Sequence, residues 1–190
     1  LNLNIAAFGG DITTRGNLTI ENGAAVDMEA ATDELIINGN LLLNGTLALS
    51  TTIGGDMQIK GNWTRTGTFI PNDRLVTFNG TSTQTLTGHT TFDYITIAGS
   101  ATLAMNDGIT VNDAIVINST GTLNMSDELI DGAGSFTLNS GGILKIGHLS
   151  GIEPTGATGN IQVSGTRTFA SDATYHYTGN SNQLSGSALP

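Results

Sequence analysis

Apolar and polar residues alternate in short runs along this chain, and the runs recur. Ile95–Met105 (ITIAGSATLAM), Ile115–Met125 (IVINSTGTLNM) and Phe136–Ile146 (FTLNSGGILKI) share one form, and their starts lie 20 and 21 residues apart. Each reads apolar-x-apolar, a four-residue corner, then x-apolar-x-apolar. Leu18–Met28 (LTIENGAAVDM) repeats the form, and a second series, Gly16-Asn17-Leu18, Gly39-Asn40-Leu41 and Gly61-Asn62-Trp63, is spaced 23 and 22. A period of two within a run means a strand with one buried face. A period of about 20–23 between runs means one turn of a coil per unit. The pattern predicts an all-β chain: a right-handed parallel β-helix of 20–23 residues per rung, with roughly nine rungs in 190 residues. Leu18, Ile20, Leu41, Leu43, Ile95, Ile97, Leu103, Ile115, Ile117, Leu123, Phe136, Leu138 and Leu144 are the expected core. Asn and Gly are expected at the corners, where positive φ is needed.

A longer repeat overlies the short one. Val76–Gly88 (VTFNGTSTQTLTG) matches Tyr175–Gly186 (YHYTGNSNQLSG), with Phe78 and Tyr177, Gly80 and Gly179, and Gln84 and Gln183 each 99 apart. Gly61-Asn62 and Gly159-Asn160 are 98 apart, and Phe69 and Phe169 are 100 apart. Residues 1–190 are thus expected to form one continuous solenoid segment holding two copies of a ~99-residue unit, about 1–88 and 89–190. The chain opens on Leu1 rather than Met. The second copy stops at Pro190, where the first continues into Thr90–Ile97 (TTFDYITI), so the sequence reads as part of a longer chain. Neither Leu1–Phe8 nor Ser185–Pro190 looks like a cap. The end rungs are expected to be covered end to end by further repeats or by copies of the same chain.

Composition agrees with strands and corners. Charged residues are only 12%, about half the usual share. Long amphipathic helices need Lys, Glu and Arg on their wet face, so this chain cannot supply them. Thr, Asn, Ser and Gly take over the surface. Net charge is −10, with lysine only at Lys60 and Lys145, which disfavours nucleic acid as a partner. No apolar run approaches the ~18 residues of a bilayer span, so direct membrane insertion is not expected. There is no cysteine, hence no disulfide framework or thiolate chemistry.

The block Gly54–Thr64 (GGDMQIKGNWT), followed by Gly67-Thr68-Phe69, Pro71-Asn72, Val76–Gly80 (VTFNG), Gln84 and Thr91-Phe92, resembles a repeat of large surface proteins of Bacteroidota. Ala173–Pro190 (ATYHYTGNSNQLSGSALP) is similar to a sister form of it. The resemblance covers most of the chain and rests on the order and spacing of weak motifs. It implies an extracellular stalk, filament or adhesin at the cell surface, exported by type IX secretion and anchored by a separate C-terminal sorting domain. It carries no catalytic motif. Autotransporter-type adhesins and filamentous haemagglutinins share the solenoid style.

Candidate chemistry is sparse. His89, His148 and His176 are scattered, without the close spacing of a metal motif. Asp107, Asp113, Asp127, Glu128 and Asp131 gather in one stretch, and corner carboxylates could hold Ca²⁺. Their spacing, however, fits neither the EF-hand loop nor the nonapeptide of calcium-binding β-rolls. The plainer reading is solubilising corner charge, so no catalytic, cofactor-binding or metal residue is expected. Two carboxylates on adjacent rungs would also suit a glycosidase, which makes a carbohydrate-binding or carbohydrate-cleaving β-helix the alternative; surface glycans or other cells are expected partners beside neighbouring repeats. The aromatics occupy strand positions that favour the core over a sugar cleft. Thr-x-Thr pairs (Thr64/Thr66/Thr68, Thr83/Thr85/Thr87, Thr166/Thr168) do not recur on consecutive rungs, which argues against an ice-binding array. Asn-x-Ser/Thr at Asn17, Asn44, Asn62, Asn79, Asn118 and Asn124 reads as corner Asn stacked in hydrogen-bonded ladders.

Overall fold

A computed structural model describes residues 2–4 and 10–190. Apart from Asn2–Asn4, the stretch Leu1–Phe8 lies outside the described residues. Among those residues there is no helix, and the strands pair in parallel to form a β-solenoid. Face C is the clearest column. Its strands are Leu18–Ile20, Leu41–Leu43, Trp63–Arg65, Thr83–Thr87, Thr102–Met105, Thr122–Asn124, Ile143–Ile146 and Thr174–Tyr177, stacked in chain order. Face B stacks eight strands in the same way, from Ile12–Thr14 to Arg167–Phe169. Face A is a separate sheet for only four strands, ending at Thr68–Ile70. From Thr90 onward the third side is built by the first halves of long face B strands, Thr90–Ile97 and Ile109–Ile117, whose pairing shifts register between Phe92 and Tyr94.

Among the described residues, faces B and C each stack eight strands, fewer than the roughly nine rungs expected. Length divided by period overcounts here, because one rung is much longer than the others. Ile143 pairs with Thr174, 31 residues on, whereas Thr122 pairs with Ile143, 21 on. The extra length is an excursion between Ile146 and Arg167. Residues 178–190 add no further strand. Eight stacked strands at ~4.8 Å give a stack about 34 Å long.

The core follows the period-two pattern. Twelve of the thirteen expected residues are buried. The thirteenth, Leu18, is half-buried against the same core, because its strand is the first of face C and has no strand beneath it. Leu103, Leu123 and Leu144 stack in register, as do Phe78, Ile97, Ile117 and Leu138. Trp63, fully buried, packs edge-on to Phe69 at 4.9 Å and tilted to Phe92 at 5.2 Å. These rings fill the interior where face A gives way to the bent strands.

Corners are where stacking is tightest. A Cβ on Gly61 would lie 2.4 Å from the carbonyl carbon of Gly39 one rung below, so this corner needs glycine for close approach rather than for positive φ. Positive φ is supplied at other corners by glycines such as Gly88 and Gly132 and by Asn72, as expected, and also by residues of other types. In the three aligned corners the left-handed position is Ser100 (φ 69°), Thr120 (φ 64°) and Gly141 (φ 70°). Thr120 offsets its strain by accepting the Ser100 N–H through Oγ1 at 3.1 Å.

The long repeat is present as local structure but turned around the coil. Phe69 lies on face A and Phe169 on face B, while Phe78 lies on face B and Tyr177 on face C. Between Phe78 and Tyr177 the chain makes four turns along face B and advances one face. Within each copy the same bonds recur: Gly80 N–H donates to Gln84 Oε1 at 2.7 Å, and Gly179 N–H to Gln183 Oε1 at 2.8 Å. Each glutamine Nε2 then donates to two carbonyls of the rung below, Ile59 and Gly61 for Gln84, Ile146 and His148 for Gln183. Asn62 and Asn160 are not equivalent. Asn62 sits at the partly exposed corner entering face C, whereas Asn160 is fully buried on the excursion.

Gly61→Ala is expected to lower stability by about 1–3 kcal/mol through overpacking. Gly16→Ala, in the same sequence motif but with nothing within 4 Å of its Cβ position, is expected to change it by less than about 0.5 kcal/mol. Urea unfolding of the two variants reads the difference; equal losses would show that rung spacing does not set the glycine requirement.

Candidate functional site

Three carboxylates from consecutive rungs meet at one corner. Asp73, Asp93 and Asp113 are spaced by 20, and an oxygen of each lies within 4.8 Å of the others, the only such group of three potential ligands among the described residues. Asp73 and Asp113 are exposed, whereas Asp93 is buried. Asp93 sits at the register shift between Phe92 and Tyr94, which turns its side chain to the edge of the core. Both its oxygens have protein partners: Oδ2 accepts the Asp73 N–H and Oδ1 the Asn112 amide, each at 2.7 Å. Asp113, at hydrogen-bond distance, raises the Tyr94 phenol above its ordinary pKa, with desolvation and the charges of Asp73 and Asp93 adding to the effect. Asp93 is therefore a structural acceptor within an acidic patch.

The acidic residues expected from the sequence do not converge on one point. Only Asp113 joins the trio. Asp107 Oδ2 accepts the Gly88 N–H at 2.8 Å, and Asp131 Oδ1 accepts the Thr110 hydroxyl at 2.7 Å. Glu128 has its pKa raised, first by burial and then by Asp127 and Asp107. Asp73 and Asp93 lie upstream of the acidic stretch; the signal that could have found them was Asp at a spacing of 20, the rung period. The histidines remain apart: His89 Nε2 meets Thr110 Oγ1 at 3.1 Å, His148 Nδ1 accepts the Ser150 N–H at 3.1 Å, and His176 is exposed beside Lys145 in face C.

The asparagine corners do form ladders. Asn40 N–H donates to Asn17 Oδ1, Asn62 N–H to Asn40 Oδ1, and Thr85 N–H to Asn62 Oδ1, each at 2.8 Å. Asn139 donates to Asn118 at 3.2 Å, Asn79 to Gln58 at 2.7 Å, and Asn44 accepts from Thr66 at 2.9 Å. Asn124 instead caps its own corner, accepting the Ser126 N–H. A threonine column that the Thr-x-Thr pairs do not reveal runs outward on face B: Thr77, Thr96, Thr137 and Thr168, with Val116 at the middle rung.

A concavity of about 950 Å³ lies where face C strands reach their following corner on the last three rungs, between residues 124–127, 145–150 and 178–181. Its lining is polar, with Lys145 and His148 as the basic side chains and Asp127 as the acid. It carries no signal in the sequence, because the excursion that shapes it has no periodic pattern. In comparisons with known proteins, the chain matches no family model, no curated protein and no solved structure.

Asp93→Ala is expected to cost about 1.5–3 kcal/mol by stranding two donors, and a chelator is expected to leave the unfolding midpoint of the unaltered chain unchanged. A midpoint that falls on chelation would show that the trio holds a cation. Glu128→Gln is expected to stabilise the chain near neutral pH. Its raised pKa means that the folded state holds the proton more tightly, so the charged form weakens the fold. The gain should vanish as pH falls below the ordinary glutamate range, where both states are protonated. A gain independent of pH, read from thermal unfolding, would assign the effect to packing.

Proposed function

We propose that this chain is a stiff spacer in an extracellular structural or adhesive protein, forming part of a stalk or filament at the cell surface. The observation that carries this reading is the parallel stack of faces B and C, in which each strand pairs with the strands of the rungs above and below. Such a coil lengthens by adding rungs, without redesign of a core. The resemblance of Gly54–Phe92 and Ala173–Pro190 to Bacteroidota surface repeats and a surface of Thr, Asn and Ser support a secreted setting. The spacer works without chemistry of its own. Trp63, Phe78, Phe92 and Phe136 are fully buried, which places these four rings in the core rather than along a sugar cleft.

Its partners along the axis are further rungs, either of the same chain or of a copy stacked end to end. Thr174–Tyr177 is an edge strand of face C, and Leu184 and Leu189 beside it are exposed. Head-to-tail stacking is heterologous and grows open fibres.

Antibodies against the chain should label intact producing cells, and sedimentation of the purified chain should show growth with concentration. Label confined to lysed cells would overturn the surface assignment, and a concentration-independent monomer would overturn stacking between copies. A panel of neutral and acidic polysaccharides, with and without Ca²⁺, should show no depolymerisation; turnover lost on changing one Asp to Asn would establish an enzyme instead.

A further inference from the structure

We propose that the concavity beside the long rung is a docking site for an acidic oligosaccharide, one carrying uronate-type carboxylates. The inference rests on the adhesive reading and gives it a place and a ligand class. The site lies where the coil departs from its period. Elsewhere successive face C strands begin 19 to 23 residues apart, as for Thr83 with Thr102 and Leu18 with Leu41, and only here does the chain spend 31.

The excursion is anchored from below. Asn160, fully buried, donates to the carbonyls of Ser126 at 3.0 Å and Glu128 at 2.7 Å, and accepts the His148 N–H at 3.0 Å. Gln183 ties Gly179 to the carbonyls of Ile146 and His148. Arg167 gathers the outer loop through the carbonyls of Val163, Glu153 and Gly156. Three corners of the lining are thereby fixed before any ligand arrives, which lowers the ordering cost of binding.

The chemistry of the lining selects the ligand. Amides and hydroxyls from Asn124, Ser126, Asn180 and Ser181 are spread along a groove, which suits the dispersed hydroxyls of a sugar chain better than the single point of a small anion. Lys145, one of two lysines, projects outward from face C and has no hydrogen-bond partner among the described residues. His148 accepts at Nδ1, which leaves Nε2 as a donor in the neutral ring. A cation and a donor on one side meet a carboxylate. Asp127, exposed on the corner one rung below Gly147 and His148, accepts sugar hydroxyls and turns carboxylates toward the Lys145 end of the groove. Nucleic acid does not fit, since one lysine on a chain of net charge −10 neutralises too few phosphates. A protein partner would need an apolar anchor, and Leu149 is the only large apolar residue in the lining.

Calorimetric titration of the whole chain with a linear uronate oligosaccharide, and with a neutral oligosaccharide of the same length, tests the site. The uronate should bind at least about tenfold more tightly than the neutral sugar. Lys145→Ala should weaken uronate binding about tenfold without changing the unfolding midpoint, and Asp127→Asn should strengthen it. Equal affinity for the two sugars, no binding of either, or an unaffected Lys145→Ala variant would overturn the proposal. Adhesion of chain-coated beads to cells separates the two levels. Adhesion kept by Lys145→Ala removes this site and leaves the adhesive reading, whereas no adhesion by the unaltered chain removes that reading itself.

Discussion

Everything in this molecule depends on the hydrogen bonding of one rung to the next at the ~4.8 Å spacing of a parallel sheet. That distance is fixed by the backbone, so each residue sits directly over its equivalent one turn away. Inward apolar residues then form columns without needing matched shapes from distant parts of the chain, as Leu103, Leu123 and Leu144 do. The same distance excludes a Cβ at Gly61, where the backbone of Gly39 is already in the way.

Parallel stacking leaves the corners with the harder accounting, because buried or half-buried backbone groups there must find partners outside the strands. Side-chain amides meet the need. Asn17, Asn40 and Asn62 each accept a backbone N–H from the next rung. Gln84 and Gln183 each join one N–H and two carbonyls across a corner. Arg65 and Arg167 turn their donors to backbone carbonyls, and burial lowers the pKa of both. A chain with 12% charged residues can be held this way, since neutral amides do work that ion pairs do elsewhere.

The Gly-x-x-x-Gln corner explains how a repeat of about 99 residues coexists with a turn of about 20. The clamp needs only its own corner and the carbonyls beneath, so it functions at whichever face the chain has reached. Phe78 through Gln84 bridges faces B and C, while Tyr177 through Gln183 starts one face further on. Successive copies of the unit thus present their outer residues in different directions around the axis.

The sequence by itself determined the fold class, the period and the core. Period-two alternation and the 20–23 spacing are local properties, and a parallel stack reproduces them at every rung. Length per rung was not readable where no apolar pattern exists, and with the excursion between Ile146 and Arg167 faces B and C each stack eight strands among the described residues, fewer than the roughly nine rungs expected. Left-handed corners at Ser100 and Thr120 were hidden for a related reason: what tolerates them is a hydrogen bond from a neighbouring rung, not the residue's own preference. Only the tertiary structure decided the sites. Asp73, Asp93 and Asp113 meet because the register at Phe92 and Tyr94 slips at that corner. Lys145, His148 and Asp127 share a groove because Asn160, far along the chain, holds its floor. A coil makes neighbours of residues one turn apart, and which turn length applies is set by packing rather than by any single residue.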